Sequence, residues 1–309
     1  MRQHHAKCLL VLVIALACPR LGDAQTSSPA TQPASRPATA PTSRPGTQPA
    51  SRPAVKIDEA AKPLLERIRA AYTNEQPRRL VAHITGIFDV AGRSRNYQLE
   101  VESLTNGAGR FIHRVRDVGT VAQNAEKLIL YDLKRNSFGT LKTPDRRVSA
   151  SDLPEAVVEI LIDENPALLL CLSTEPDKAL LLGAMRAHVD AGRLIITSEN
   201  EKRTLDLDTN GLIRRMEINY TPLLASRGTA NVKSALVTLE YAPPELPAAV
   251  ADAEFEFVPP ETASEFPLEP PPAVTAVERV RKRLRATTGP TSGPTSGPAT
   301  MPSPPATSD

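Results

Sequence analysis

Two stretches of period-two alternation, with a helical block between them, restrict what this chain can fold into. From Arg79 onward the period changes to two, most clearly in Tyr97, Leu99 and Val101 against Gln98, Glu100 and Glu102. Such alternation marks a strand with one covered face. Ala91-Gly92 and Asn106-Gly107 supply turns on either side of that run. Strands are expected at 79–90, 95–104, 110–117, 127–133 and 137–141, and again at 185–190, 193–199, 203–208, 212–220 and 231–241, with a weaker one at 254–258. The gaps are short and turn-like, which favours antiparallel meanders over crossover units.

The helical signals fall before and between these runs. A first helix is expected over 61–74, with Pro63 in its first turn, where a missing N–H is harmless. Leu64, Leu65, Ile68 and Tyr72 form its apolar stripe, opposite Glu66, Arg67 and Arg69. Asp152-Leu-Pro-Glu155 has capping-box spacing, and Leu153, Ala156, Val157, Ile160 and Leu161 then recur every three or four residues. Asn165-Pro166 opens a short helix that is apolar almost all round through Leu172, and Thr174-Glu-Pro-Asp177 opens a third. A helix apolar on all sides has to be covered on all sides or lie in a hydrophobic cleft. The expected fold class is therefore α+β, with helices on one face of a large antiparallel sheet. No strand–helix–strand alternation and no Gly-rich phosphate loop occurs, which argues against a nucleotide-binding domain.

Proline sets the limits of this core. Only 7 of the 30 prolines lie between Val55 and Ala242, whereas all six Phe and five Tyr lie between Tyr72 and Phe266. Segment 25–54 is nearly all Pro, Ala, Thr, Ser, Gln and Gly, and repeats Thr31-Gln-Pro-Ala-Ser-Arg-Pro-Ala38 at 47–54. It lacks the apolar surface to offset chain entropy and reads as an extended, disordered spacer. The tail 267–309 reads the same way, apart from a possible short helix at 274–286. The expected folded domain is 55–266. Although the whole chain carries +2, residues 55–273 hold 26 basic and 32 acidic residues, so the core lacks the electrostatic footprint of a nucleic-acid binder.

Residues 1–24 read as a secretory signal peptide: Arg2 and Lys7 precede an apolar run from Cys8 to Cys18, and Gly22-Asp23-Ala24 places small residues before a cut at Gln25. The expected location is periplasmic or secreted. In the alternative reading Ala15-Leu16-Ala17-Cys18 is a lipoprotein box, and the chain is lipid-anchored at Cys18. If the cut falls before Gln25, Cys171 is the sole remaining cysteine, set among leucines where a buried, inert thiol is expected.

The motifs that could carry chemistry have plainer explanations. Asp206-Leu-Asp-Thr-Asn-Gly211 with Glu217 has the letters of a calcium loop, but its flanks are β-rich and a hairpin turning at Asp208–Gly211 explains them. His83, His113 and His188 sit in expected strands, without metal-ligand spacing. No Gly-x-Ser-x-Gly turn and no His-Glu-x-x-His helix is present, so no enzyme, cofactor or metal is expected. Arg279, Arg281, Lys282, Arg283 and Arg285 flank Val277, Val280 and Leu284, a pattern suited to an anionic membrane surface or to a solvated charged tail.

The order of elements, together with 61–72, the Leu168-Leu-Leu region, Asp206-Leu-Asp-Thr-Asn-Gly-Leu-Ile-Arg-Arg-Met-Glu-Ile218 and Glu254-Phe-Glu-Phe-Val-Pro-Pro260, resembles the periplasmic lipoprotein-carrier superfamily over about 58–266. The resemblance implies a strongly curved antiparallel sheet, an incomplete barrel, with helices on its concave face over a hydrophobic cavity. Leu153, Val157, Ile160, Leu161, Leu168, Leu169 and Leu172 would then line one wall, and Leu64, Ile68 and Tyr72 another. The function implied is binding or carriage of lipid or lipoprotein acyl chains in the envelope, without catalysis. A dry, filled core that serves as an envelope sensor or protein-interaction module uses the same residues.

Overall fold

The computed structural model describes residues 54–73, 75–143, 149–226, 228–229 and 231–270. The expected signal peptide, the spacer up to residue 53 and the basic segment 274–286 lie outside the described residues.

Thirteen strands form one mixed sheet that does not close. In chain order they are β1 (Lys56–Ile57), β2 (Arg78–Val90), β3 (Arg93–Thr105), β4 (Phe111–Val115), β5 (Gly119–Gln123), β6 (Lys127–Asp132), β7 (Ser137–Lys142), β8 (Arg186–Asp190), β9 (Arg193–Thr197), β10 (Lys202–Leu207), β11 (Ile213–Asn219), β12 (Val232–Tyr241) and β13 (Ser264–Glu265). The two meanders join where β12 pairs antiparallel with β2, so the longest strands stand at the centre. Five α-helices accompany them among the described residues: α1 (Lys62–Tyr72), α2 (Glu155–Glu164), α3 (Pro166–Cys171), α4 (Pro176–Leu180) and α5 (Thr221–Ser226). An open thirteen-stranded sheet with a few helices fits an incomplete barrel.

Register turns the alternation of the sequence into a continuous apolar surface. Leu194, Leu205, Met216, Leu239, Ile84 and Leu99 stand opposite one another in turn across β9, β10, β11, β12, β2 and β3. Each fully buried side chain of this size contributes about 1.5–3 kcal/mol. Gly86 stands opposite Tyr97 because the tyrosine ring lies across it: a Cβ there would fall 2.0 Å from the ring. α1, α2, α3 and α4 belong to the same contiguous core as these strands.

A second, smaller apolar cluster occupies the opposite face. Leu104, Ile112 and Ala122 stand in one row there, and Phe255 packs on them. Residues after β12 cross this face as a strap, pinned where the backbone of Arg79 pairs with that of Glu245, and by Asn124 donating to Glu256. Phe257 packs on Tyr131 with ring centroids 5.5 Å apart.

The structure corrects several expectations. The sheet is not wholly antiparallel, because β1 pairs with β8 and β13 with β7 in parallel. The expected strand at 254–258 is instead a 3₁₀ turn, Asp252–Phe255, followed by extended chain; its alternating phenylalanines serve packing on the sheet's face rather than a ladder. β5 occupies a gap between two of the expected strands, where its five residues are too few to show a period. The carboxylate that anchors the start of the helical block is Asp152, but it receives the backbone N–H and hydroxyl of Ser149, upstream of the expected box. α5, which is not among the expected helices, begins with Thr221-Pro222.

Candidate functional site

The helical block meets the sheet through side chains of both kinds. Of the ten residues expected to line a cavity, Ile68, Tyr72, Leu153, Val157, Leu161, Leu168, Leu169 and Leu172 are buried, and Leu64 and Ile160 are partly buried against the same core. α3 is buried along its whole length, as an all-apolar helix requires. Its first turn is fixed at both ends of the side chain of Asn165: Oδ1 accepts the Leu168 N–H at 3.1 Å, and Nδ2 donates to Ser103 Oγ on β3 at 2.7 Å.

The buried face of α2 is rotated from the expected stripe. Val157, Val158, Leu161 and Glu164 point inward, and Ile160 is only partly covered. Glu164 turns in because His113 on β4 receives it, with Nε2 to Oε2 at 3.1 Å, while His113 Nδ1 lies 2.9 Å from Ser103 Oγ. With Nε2–H donating to the carboxylate, Nδ1 is left to accept the serine O–H, and Ser103 Oγ accepts from Asn165. The result is one directed chain, Asn165 to Ser103 to His113 to Glu164, that joins the junction of α2 and α3 to β3 and β4. Its residue types are those of a nucleophile relay, yet Ser103 is 0% exposed and His113 1%, so the chain fastens the helices. His83 is exposed and His188 partly buried.

A second polar group lies where the end of α1 approaches the start of β2. Arg78 is 4% exposed; Nη2 donates to the Ala71 carbonyl, and the guanidinium lies over the Tyr72 ring at 5.5 Å. Cys171 at the end of α3 is its neighbour: burial pushes the thiol up to about 11, against the opposing pull of Arg78. Tyr72 Oη accepts the Ile213 N–H at 3.1 Å, and Tyr241 Oη the Ala167 N–H at 3.5 Å. Burial raises both phenols above the usual tyrosine range.

A third group gathers around Asp163. Burial first, then the charges of Glu201 and Glu164, raise its carboxyl well above the usual range. Arg203, largely covered beside it, would be lowered by desolvation, but Glu201, Tyr220 and Asp163 hold it up. Arg203 pairs with Glu201, and among the described residues its Nε has no hydrogen-bond partner. Tyr97 and Tyr220 face the same carboxylate and are raised, mainly by burial.

Among the described residues no group of three or more His, Cys, Asp or Glu is placed to hold a metal ion. The Asp206–Glu217 segment forms the hairpin of β10 and β11, in which Asp208 Oδ1 accepts the N–H groups of Asn210 and Leu212. No described helix is long and apolar enough to cross a membrane. Ser103, Glu164, Asn165 and Asp163 carry no signal in the sequence that would assign them to the site, and Arg78 has only the parity that it shares with Leu80 and Ala82.

No protein-family model matches the sequence, and no curated protein does. Solved structures similar to it include an uncharacterized conserved protein from Thermus thermophilus, 10% identical, with a TM-score of 0.35 over 68% of this chain and 99% of that one. A LolA superfamily protein from Nitrosomonas europaea is 10% identical, with a TM-score of 0.30 over 65% of this chain and 99% of that one. A domain of the outer membrane lipoprotein-sorting type from Vibrio parahaemolyticus is 12% identical, with a TM-score of 0.30 over 64% of this chain and 97% of that one.

Proposed function

We propose that this chain is an exported, non-catalytic binder or carrier of lipid or lipoprotein acyl chains in the cell envelope. In this reading the sheet curves around the helical block, whose residues from Leu153 to Leu172, with Leu64, Ile68 and Tyr72, form the wall against which acyl chains lie. The observation that carries it is α3: six residues, buried on every side, set between the other helices and the sheet. Apolar surface of that kind holds an alkyl chain at about 0.8 kcal/mol per methylene removed from water. The basic segment with Arg279, Arg281, Lys282, Arg283 and Arg285 would bring the carrier to an anionic bilayer. Native mass spectrometry and solvent extraction of protein isolated from its own envelope test the reading. Lipid near one per chain supports it, and a reproducibly empty protein refutes it.

One observation favours the alternative of an envelope sensor or interaction module with a filled core. Eight of the ten expected lining residues are no more than 5% exposed, as in a core that needs no ligand to cover it. In-cell crosslinking that captures one dominant protein partner, with no lipid recovered, would select this reading.

A further inference from the structure

The polar group around Arg78 holds more N–H donors than acceptors. Among the described residues, Arg78 Nε and Nη1 are buried with no hydrogen-bond partner, and no ion pair is formed to this guanidinium. The oxygens of Tyr72 and Tyr241 already accept backbone N–H groups, and among the described residues neither O–H proton has an acceptor. Burial favours the protonated Cys171 thiol, whose sulfur is only a weak acceptor toward Arg78. The Ala71 carbonyl is the one oxygen acceptor that Arg78 has found among the described residues. These side chains come from α1, β2, α3 and β12, and Ile68, Leu168 and Leu172 belong to the same apolar core.

Burying a cation with spare N–H groups is destabilising unless acceptors of opposite charge reach it. Unpartnered guanidinium N–H groups in an apolar setting, with two phenols nearby, suit an acceptor-only oxyanion, and a planar carboxylate matches the guanidinium fork. We propose that Arg78, with Tyr72 and Tyr241, forms an anion subsite that takes the carboxylate of a long-chain fatty acid while its alkyl chain lies along α3. This proposal rests on the acyl-binding reading and adds to it a preference for an acidic head.

The test compares oleate with oleyl alcohol, which has the same chain and no charge, by calorimetric titration of the full chain. Oleate is expected to bind about tenfold tighter or more, the order of one charge-assisted pair. Arg78→Met should abolish that difference while keeping alcohol binding, and Tyr241→Phe should reduce it. Equal affinity of the unmodified protein for both ligands overturns the subsite and leaves acyl binding intact, whether or not Arg78→Met folds. Binding of neither ligand overturns both the subsite and the acyl-binding reading. Inorganic phosphate supplies the same oxyanion chemistry without a chain. If millimolar phosphate displaces oleate or raises the melting temperature as oleate does, the site takes free anions and the fatty-acid assignment falls.

Discussion

Removing the Ser103 hydroxyl tests whether the buried polar chain fastens the helical block. In Ser103→Ala, Asn165 Nδ2 loses its acceptor at 2.7 Å and His113 Nδ1 its partner at 2.9 Å. Asn165 is 0% exposed and His113 1%, so neither finds water without opening the block. Each stranded buried group costs about 1–3 kcal/mol, and two cost roughly 2–6 kcal/mol, against a fraction of that for a surface serine. With a urea slope of about 2 kcal/mol per molar, the unfolding midpoint should fall by about 1 M or more. Far-UV circular dichroism is the assay, since the chain has no tryptophan. His113→Phe and the double variant complete a cycle, in which a coupling of about 1 kcal/mol or more is expected. A midpoint shift below about 0.3 M at unchanged slope, or additive single effects, would refute the idea that these groups act as one chain.

Other perturbations probe neighbouring features. Gly211 has φ +86°, and a Cβ there would fall 2.5 Å from the Arg67 carbonyl of α1; Gly211→Ala should therefore cost roughly 2 kcal/mol or more in urea unfolding, and a neutral substitution would disprove the close approach. Cys171 should resist thiol reagents at pH 8 and react fully in denaturant; rapid labelling of folded protein would contradict its burial. Asp163 has a raised carboxyl, so the folded state holds that proton above the unfolded value near 3.9, and stability is lost as pH rises from about 4 through the folded value. Asp163→Asn should accordingly gain on the unsubstituted protein between about pH 4 and 7; a difference independent of pH would show that the charge is not penalised.

What was legible in the sequence followed from periodicity. β2 could be placed because its buried positions recur every second residue, β3 because Tyr97, Leu99 and Val101 alternate with polar residues, and α1 because Leu65, Ile68 and Tyr72 share a face. Even the inward direction of the polar residues was readable: His113 shares its parity with Phe111 and Val115 on β4, and Arg78 shares its own with Leu80 and Ala82 on β2. Their partners were not readable. Glu164 lies 51 residues from His113, and a glutamate ending a helix reads as solvated until the fold brings a donor to it. The 254–258 segment misled for the converse reason, since the same alternation that builds a strand can set Phe255 and Phe257 onto a sheet's face without any ladder. The two-residue strands β1 and β13 carry no period at all.

Those two short strands bear on how the domain should be handled. An exposed strand edge offers unpaired backbone groups to any other chain. Here the outer side of β8 is occupied where the N–H groups of Lys56 and Asp58 meet the carbonyls of Met185 and Ala187, and the outer side of β7 where those of Ser264 and Phe266 meet Asn136 and Phe138. The covers come from near the two ends of the described residues, places where an expression boundary is readily trimmed. A truncation that begins after Asp58 or stops before Ser264 would remove only partly buried residues such as Ile57 or Phe266 from the core, yet bare one rim of the sheet and invite it to grow by recruiting another molecule.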